Sequence, residues 1–351
     1  MITLGRKDGM KVKVAAVQPR AFWGEEEYKN ADRCLDYLGE AVDQGAQLVC
    51  FPEGYPGPCH GPMDSAGKLS STPIEMVQEK TRQSRVYVSA SDLEPNPEIP
   101  DTYFLTHKLI SPEGEILANY KRIQPDNPTF NGYLMNGRMH VLPGDEIMVV
   151  PTPIGDIGLQ ICSEVLVPEI SRIHMLLGAD ITIVPVNGPH SNHLFRGRET
   201  WLAIARARAA ENLMFVIMTQ NIFMEGAPGR AVIAGPEEML ASSTEAGILV
   251  AELDYDRLNY MRSRYHTEEF LKEPEPGDTF ARCRPGQQIQ RRPEMYGMLL
   301  EPHPEALNYF YYKDGLDTYL AEEKRAEKLR TKEYASGPVR RVVAPSKVLQ
   351  V

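Results

Sequence analysis

Short apolar runs of strand length recur between helical segments from Val12 to Leu253, and this alternation constrains the fold more than any other feature. A strand cannot satisfy its own backbone hydrogen bonds, so these runs must pair into sheets. Val12 to Val17 is the first and ends at Gln18-Pro19; Leu48-Val49-Cys50-Phe51 is the second and ends at Pro52-Glu53. Between them, Leu35, Leu38, Ala41 and Val42 fall at helical spacing within Glu27 to Gln44, and Gly45 supplies a stop. A helix is expected around Ile74 to Ser84 and a strand over Val86 to Ser91. Thr102 to Ile110 and Ile116 to Ile123 flank Pro112-Glu113-Gly114-Glu115 and read as a hairpin. Glu146 to Pro151 and Ile157 to Ile161 form another pair of strands. A helix over Ile170 to Leu177, a strand over Asp180 to Val186, a helix over Trp201 to Asn212 and a strand over Met214 to Thr219 follow. Two last strands lie near Arg230 to Ala234 and Gly247 to Leu253. Hairpins interrupt the alternation, so a simple doubly wound order does not account for it. An α/β pair of mixed sheets covered by helices does.

Past about Asp256 the chain turns to prolines, charges and aromatics, with a charged helix expected over Thr318 to Tyr334. This predicts one domain over residues 11–256 and a C-terminal extension over residues 257–351 that wraps the domain or contacts a partner subunit. Lys and Arg total 38 against 48 Asp and Glu, a formal charge of −10, and no basic block precedes the tail. Nucleic acid is therefore not an expected partner. No apolar run reaches membrane-spanning length, and Met1 to Met10 lacks the apolar core of a signal peptide. Cys34, Cys50, Cys59, Cys162 and Cys283 are an odd set without regular spacing. They read as reduced thiols, and the chain is expected to be cytoplasmic.

Three segments carry candidate chemistry. Cys162 ends the apolar run Gly158-Leu159-Gln160-Ile161 and precedes a helical segment. A thiol at such an elbow is exposed at the sheet's carboxyl edge, where a helix N-terminus favours its thiolate; buried packing is the plainer role for a single cysteine. Glu53 directly follows a strand in Phe51-Pro52-Glu53-Gly54-Tyr55. A partly desolvated carboxylate there suits a general base, whereas a simple loop cap is the alternative. Tyr120-Lys121-Arg122 brings cations able to stabilise a thiolate or an oxyanion, or else ordinary surface charge. After the strand ending at Val186, the segment Asn187-Gly188-Pro189-His190-Ser191-Asn192-His193 lines a candidate pocket. Its histidines lack the spacing of a helical metal pair, so no metal is expected.

Together these segments resemble the carbon–nitrogen hydrolase family, also called the nitrilase superfamily. Phe51-Pro52-Glu53 resembles its glutamate motif, and Ile161-Cys162-Ser163-Glu164 with Pro168-Glu169 and Arg172 resembles its cysteine motif. Gly178-Ala179-Asp180-Ile181, Arg206 to Asn212, Asn221 and the strand near Gly229 to Pro236 match later landmarks in order. The resemblance covers roughly Val12 to Leu253 and implies a four-layer αββα sandwich with subunits paired as homodimers or larger assemblies. It further implies that Glu53 takes the thiol proton of Cys162, which attacks a small amide or nitrile to give a thioester, with no cofactor.

The sequence departs from the family pattern twice. The family's lysine normally lies two residues after the strand's aromatic residue; here Arg122 holds that place and Lys121 precedes it. Register favours Arg122 facing inward, and a bulge would turn Lys121 inward instead. Arginine keeps the charge but cannot donate a proton. The second departure is that no carboxylate lies between Asn127 and Gly144, where a further glutamate is usual. Tyr133, Asn136 or His140 could supply a polar contact instead. Ser163 stands where nitrilases carry tryptophan, which leans towards amides or carbamoyl compounds. Tyr55, Tyr133, Asn136, Asn187 and His190 are the candidate substrate contacts. A non-catalytic family member that binds a ligand or partner, and a nitrilase or acyl transferase using the same thioester, remain the alternatives.

Overall fold

The computed structural model of the chain describes residues 7–57, 72–100, 102–125, 140–188, 198–263, 291–300 and 340–343. Its first half comprises β1 (Lys11–Gln18), α1 (Lys29–Asp43), β2 (Leu48–Cys50), α2 (Pro73–Ser84), β3 (Tyr87–Pro95), β4 (Thr102–Ile110), β5 (Ile116–Lys121), β6 (His140–Val141), β7 (Glu146–Thr152) and β8 (Gly155–Leu159). There follow α3 (Pro168–Leu176), β9 (Ile181–Val186), α4 (Arg198–Asn212), β10 (Phe215–Gln220), β11 (Ala231–Ala234), β12 (Met239–Ser243), β13 (Gly247–Asp254), α5 (Tyr255–Ser263) and β14 (Arg340–Val343).

The strands form two mixed sheets. One runs β13-β1-β2-β3-β4-β5 with β6 added to β4; the other runs β12-β11-β10-β9-β8-β7-β14. Strands β1, β2 and β3 are parallel, as are β8, β9 and β10, while hairpins flank each parallel centre. Side chains alternate between faces. Ala15, Val17, Val49, Phe51 and Val88 pack with Cys34, Leu38 and Ala41 of α1 and Val77 of α2. On the other sheet Val184, Val186, Val216, Met218, Val232 and Ala234 pack with Leu202, Ala205 and Ala209 of α4. The alternate residues Val14, Ala16, Ile181, Ile183, Ile217 and Ile233 are fully buried between the sheets. The layers are thus helix, sheet, sheet, helix, the four-layer αββα sandwich expected.

Local chemistry explains the element ends. Thr72 and Glu75 cap α2 reciprocally, with Thr72 Oγ1 accepting from Glu75 N at 3.3 Å and Glu75 Oε2 from Thr72 N at 2.9 Å. β12 escaped the sequence reading because its residues are only half-buried and show no clean alternation. β5 stops at Lys121, short of the expected Ile123. The stretch Arg340–Val343 pairs antiparallel with β7, so part of the tail rejoins the second sheet. By contacts the chain forms one unit of residues 1–260 with 336–344 and another of residues 261–335 with 345–351. In the latter, two short 3-10 turns expose Met295, Met298, Leu299 and Leu300. The expected helix over Thr318 to Tyr334 lies outside the described residues.

Polar residues fasten the layers. His107 bridges the sheets, with Nε2 2.6 Å from Ser89 Oγ and Nδ1 3.1 Å from the Gln160 carbonyl. His174 of α3 stands over Gly158, where a Cβ would come within 2.7 Å of its ring, and pairs with Thr182 Oγ1 at 3.2 Å. Burial pushes both imidazoles down to about 3 from an ordinary 6.5. Both are neutral in the fold, and the unfolded chain binds protons first as pH falls. Stability is therefore full above pH 6.5 and declines from there towards pH 3. Each histidine contributes about 1.4 kcal/mol per pH unit to that decline. Urea unfolding at pH 7 and pH 5 should show a loss smaller by about 2 kcal/mol in His174→Gln than in the wild type. Equal losses would remove His174 from the acid response.

Candidate active site

The parallel strands of both sheets release their carboxyl ends at one edge, where open α/β sheets place reactive groups. Phe51-Pro52-Glu53 leaves β2 and is tied to the other sheet at once. Thr219 Oγ1 donates to the Phe51 carbonyl at 3.1 Å, and Asn221 Nδ2 donates to the Glu53 carbonyl at 2.8 Å. Gly54 N donates to Ser91 Oγ at 3.1 Å, holding the loop to its own sheet. The Glu53 side chain is buried, and its oxygens accept from Arg122 Nη1 at 3.1 Å and from the backbone N–H of Asn187 at 2.8 Å.

Cys162 approaches from the other sheet. It begins a 3-10 turn, Cys162–Leu166, with φ of 52°, a left-handed conformation that costs a non-glycine residue about 1–3 kcal/mol. The turn brings the sulfur into the neighbourhood of the Glu53 carboxylate and of the Asn187 N–H, which both act on the thiol. The expectation that a helix N-terminus would favour the thiolate is corrected here: α3 begins only at Pro168. Burial and then the Glu53 charge push the Cys162 thiol well up, with Arg122 opposing them. A thiol so placed stays protonated until a base takes its proton, and the carboxylate acting on it is Glu53.

Of the two candidate cations, Arg122 stands at this acid. Its guanidinium bridges Glu53 and Ser163 Oγ, and its backbone N donates to the Leu105 carbonyl at 2.9 Å. Lys121 faces the opposite side of the sheet, with its ammonium 3.9 Å from the Phe104 ring centre. The bulge that would turn Lys121 inward is not at Lys121. The register slips earlier, between Leu109 and Ile110, and runs regularly from Ala118 to Lys121. Alternation then sends Tyr120 and Arg122 to the inner face.

Tyr55, expected to contact substrate, is instead a core residue. Its ring stacks 5.8 Å from Phe51 and packs with Cys34 and Leu38 under α1. Asn187 reaches the site through its backbone, while its Oδ1 accepts from Asn221 Nδ2 at 3.3 Å. Gly188 follows because a Cβ there would fall 2.3 Å from the Asn221 carbonyl. Tyr133, Asn136 and His190 lie outside the described residues. Among the described residues, no group of three His, Cys, Asp or Glu side chains could hold a metal ion.

Glu164 entered the sequence reading only as part of the cysteine motif, yet this buried carboxylate joins both halves of the site. It accepts from Tyr120 Oη at 2.8 and 2.9 Å, from Ile123 N at 2.8 Å, from Gln124 N at 3.1 Å and from Ile161 N at 2.7 Å. Its donors thus flank Arg122 on one strand and precede Cys162 on the other. Burial raises its pKa, and Arg122 and these donors oppose the shift. The signal was a carboxylate inside the apolar run Ile161 to Val167, where only a bonded charge can be buried. Also at this edge is Arg230, just before β11, buried and 5.2 Å from the Trp201 ring centre.

Comparison with known proteins shows the family and the fold. A family model described as carbon-nitrogen hydrolase matches residues 13–263. The human omega-amidase NIT2 is 23% identical over 244 residues, covering 67% of this chain and 86% of the relative. A carbon-nitrogen hydrolase from Helicobacter pylori G27 superposes with a TM-score of 0.64 at 22% identity, covering 84% of this chain and all of the other. An amidase from Nesterenkonia sp. AN1 superposes with a TM-score of 0.58 at 22% identity, covering 76% and 98%. That structure, of a mutant with glutamine in place of a glutamate, carries the acetamide moiety of fluoroacetamide on its active-site cysteine.

Removing Glu164 leaves four buried or half-buried donors without an acceptor, at about 1–3 kcal/mol each. Glu164→Ala should lose at least about 4 kcal/mol in chemical denaturation, and Glu164→Gln distinctly less, because its amide oxygen keeps part of the set. A loss below about 1 kcal/mol in Glu164→Ala would show that these bonds are replaced by water.

Proposed function

Because the chain belongs to the carbon–nitrogen hydrolase family, we propose that it is a cysteine-dependent amidase acting on a small non-peptide amide or carbamoyl compound. The observation that carries this reading is the meeting, at one edge of the two sheets, of the Cys162 thiol with the buried Glu53 carboxylate, whose charge acts on that thiol. Human NIT2, an omega-amidase, and the Nesterenkonia amidase, modified at its own active-site cysteine, support it.

In the proposed reaction Glu53 takes the Cys162 proton as the sulfur attacks the amide carbon. The C–N bond breaks, and the proton on Glu53 passes to the departing nitrogen, which leaves as ammonia or an amine. Water then gives its proton to Glu53 and attacks the thioester, and the released thiolate recovers that proton. Arg122 holds the carboxylate against the sulfur and supplies positive charge opposite the oxyanion. It serves no proton step, since a guanidinium keeps its protons. The catalytic domain is read as residues 11–256 and the remainder as an extension serving a homo-oligomer in the cytoplasm. Free thiols at Cys34, Cys50 and Cys162 support the compartment.

A second reading, a member that binds a ligand without turnover, draws on Arg122 standing where the family's lysine is usual. One comparison separates the two. Across a panel of amides, Cys162→Ala should abolish ammonia release. Glu53→Gln should slow release by roughly 10²–10⁴-fold. Equal release by wild type and Cys162→Ala would reject the amidase, and added hydroxylamine trapping the acyl group would reveal a transferase.

A further inference from the structure

Pro185 leaves a gap in the ladder beside the cysteine. Gln160 N donates to the Ile183 carbonyl at 3.3 Å, continuing the parallel pairing of Leu159 with Ile183. In that register the next bond should run from residue 185 of β9 back to the Gln160 carbonyl. Residue 185 is a proline inside a central strand, and a proline has no N–H. Gln160 is fully buried, so its carbonyl needs another donor. His107 of β4 supplies it from the other sheet, with Nδ1 3.1 Å from that oxygen. A carbonyl only accepts, so Nδ1 carries the proton of the neutral ring, and Nε2 accepts from Ser89 Oγ at 2.6 Å.

The bond falls on a sensitive peptide. The Gln160 carbonyl and the Ile161 N–H belong to one planar group and point in opposite directions. His107 holds the first, and Glu164 Oε2 accepts from the second at 2.7 Å. Held at both ends, the plane cannot turn, and from it the chain enters the left-handed conformation of Cys162. His107 is also the middle of a row across the inner face of its sheet. Its neighbours in register are Ser91 on β3 and Tyr120 on β5. Ser91 Oγ accepts from Gly54 N, next to Glu53, and donates to the Thr106 carbonyl at 2.6 Å. Tyr120 Oη donates to Glu164. One row of side chains thus serves the loop of the acid and both ends of the peptide before the nucleophile.

We propose that His107 is a positioning residue for the nucleophile: its Nδ1–H stands in for the N–H that Pro185 lacks, fixes the peptide between Gln160 and Ile161, and so holds the Cys162 elbow towards Glu53. The proposal rests on the amidase reading for its effect on rate, and on the hydrogen bonds alone for its effect on the elbow. In this role His107 acts through the backbone and moves no proton. A Gln160 carbonyl left without a donor would turn to find one and carry the sulfur off its line of attack. Catalysis is sensitive to such a shift, since a misplacement of about 1 Å costs roughly 10²-fold.

The test separates the two ring nitrogens. Asparagine carries its amide nitrogen at the reach of Nδ1, and glutamine at the reach of Nε2. With the amide that wild type turns over best, His107→Leu and His107→Gln should lower kcat roughly tenfold to hundredfold with KM little changed. His107→Asn should recover most of that loss. Pro185→Ala restores an N–H on β9, so His107→Leu should cost less in that background than in wild type. Equal losses in His107→Asn and His107→Gln, a cost undiminished in Pro185→Ala, or an unfolding midpoint lowered with kcat intact would overturn the proposal and leave His107 a fastener of the sheets. If His107→Leu does not fold, the asparagine and glutamine variants carry the comparison. Hydrogen exchange across Gln160 to Leu166, followed by mass spectrometry, is read separately. Exchange quickened there in His107→Gln but not in His107→Asn sustains the positioning role even if no amide is turned over. That outcome would count against the amidase reading alone. Exchange quickened equally in both variants, or in neither, would overturn the positioning role.

Discussion

A carboxylate buried between two sheets sets the terms for this edge of the molecule. Taking a charge out of water costs several kcal/mol unless it is paired and fully bonded. Glu53 meets that demand from both sheets at once, through Arg122 beside β5 and the backbone of Asn187 after β9. Glu164 repeats the arrangement in reverse, starting from the second sheet and accepting donors on the first. Two acids thus cross the interface in opposite directions, and neither sheet can slide without stranding a charge. The apolar contacts between the sheets would by themselves tolerate small shifts. The polar pairs place the sheets in register where register matters.

The same arrangement accounts for the strained elbow. Cys162 holds a left-handed φ because Glu164 anchors the N–H of Ile161 just before it. Ser163, just after it, bonds to the Arg122 guanidinium. Both anchors run to the stretch around Arg122, so the position of the sulfur and that of the cation are coupled. In the proposed reaction this coupling lets Glu53 meet the thiol without a separate closing motion.

Much of this could be read from the chain, for identifiable reasons. Strong apolar runs such as Ile181 to Val186 and well-spaced helical faces such as Leu35, Leu38 and Ala41 give their elements away. Glu53 and Cys162 stood out because each follows such a run directly. What escaped depends on orientation or on partners distant in sequence. Tyr55 lies two residues beyond the acid, yet its ring joins the helical layer. Glu164 bonds to donors some 40 residues away. The choice between Lys121 and Arg122 turned on one bulge, which pairing shows and composition does not.

The exchange of lysine for arginine gains a physical sense once these pieces are together. A lysine beside Glu53 could share its protons with the carboxylate and the departing nitrogen. Arg122 cannot, so every proton in the proposed cycle travels through Glu53. That demands a carboxylate kept charged, close to the sulfur and fixed in angle. A guanidinium bridging Glu53 and Ser163 fixes the angle better than a single ammonium would. The raised thiol pKa belongs to the same logic, since a spontaneously ionised sulfur beside Glu53 would leave the acid no proton to carry. Arginine and a reluctant thiol thus both fit the proposed cycle, in which a single carboxylate moves the protons.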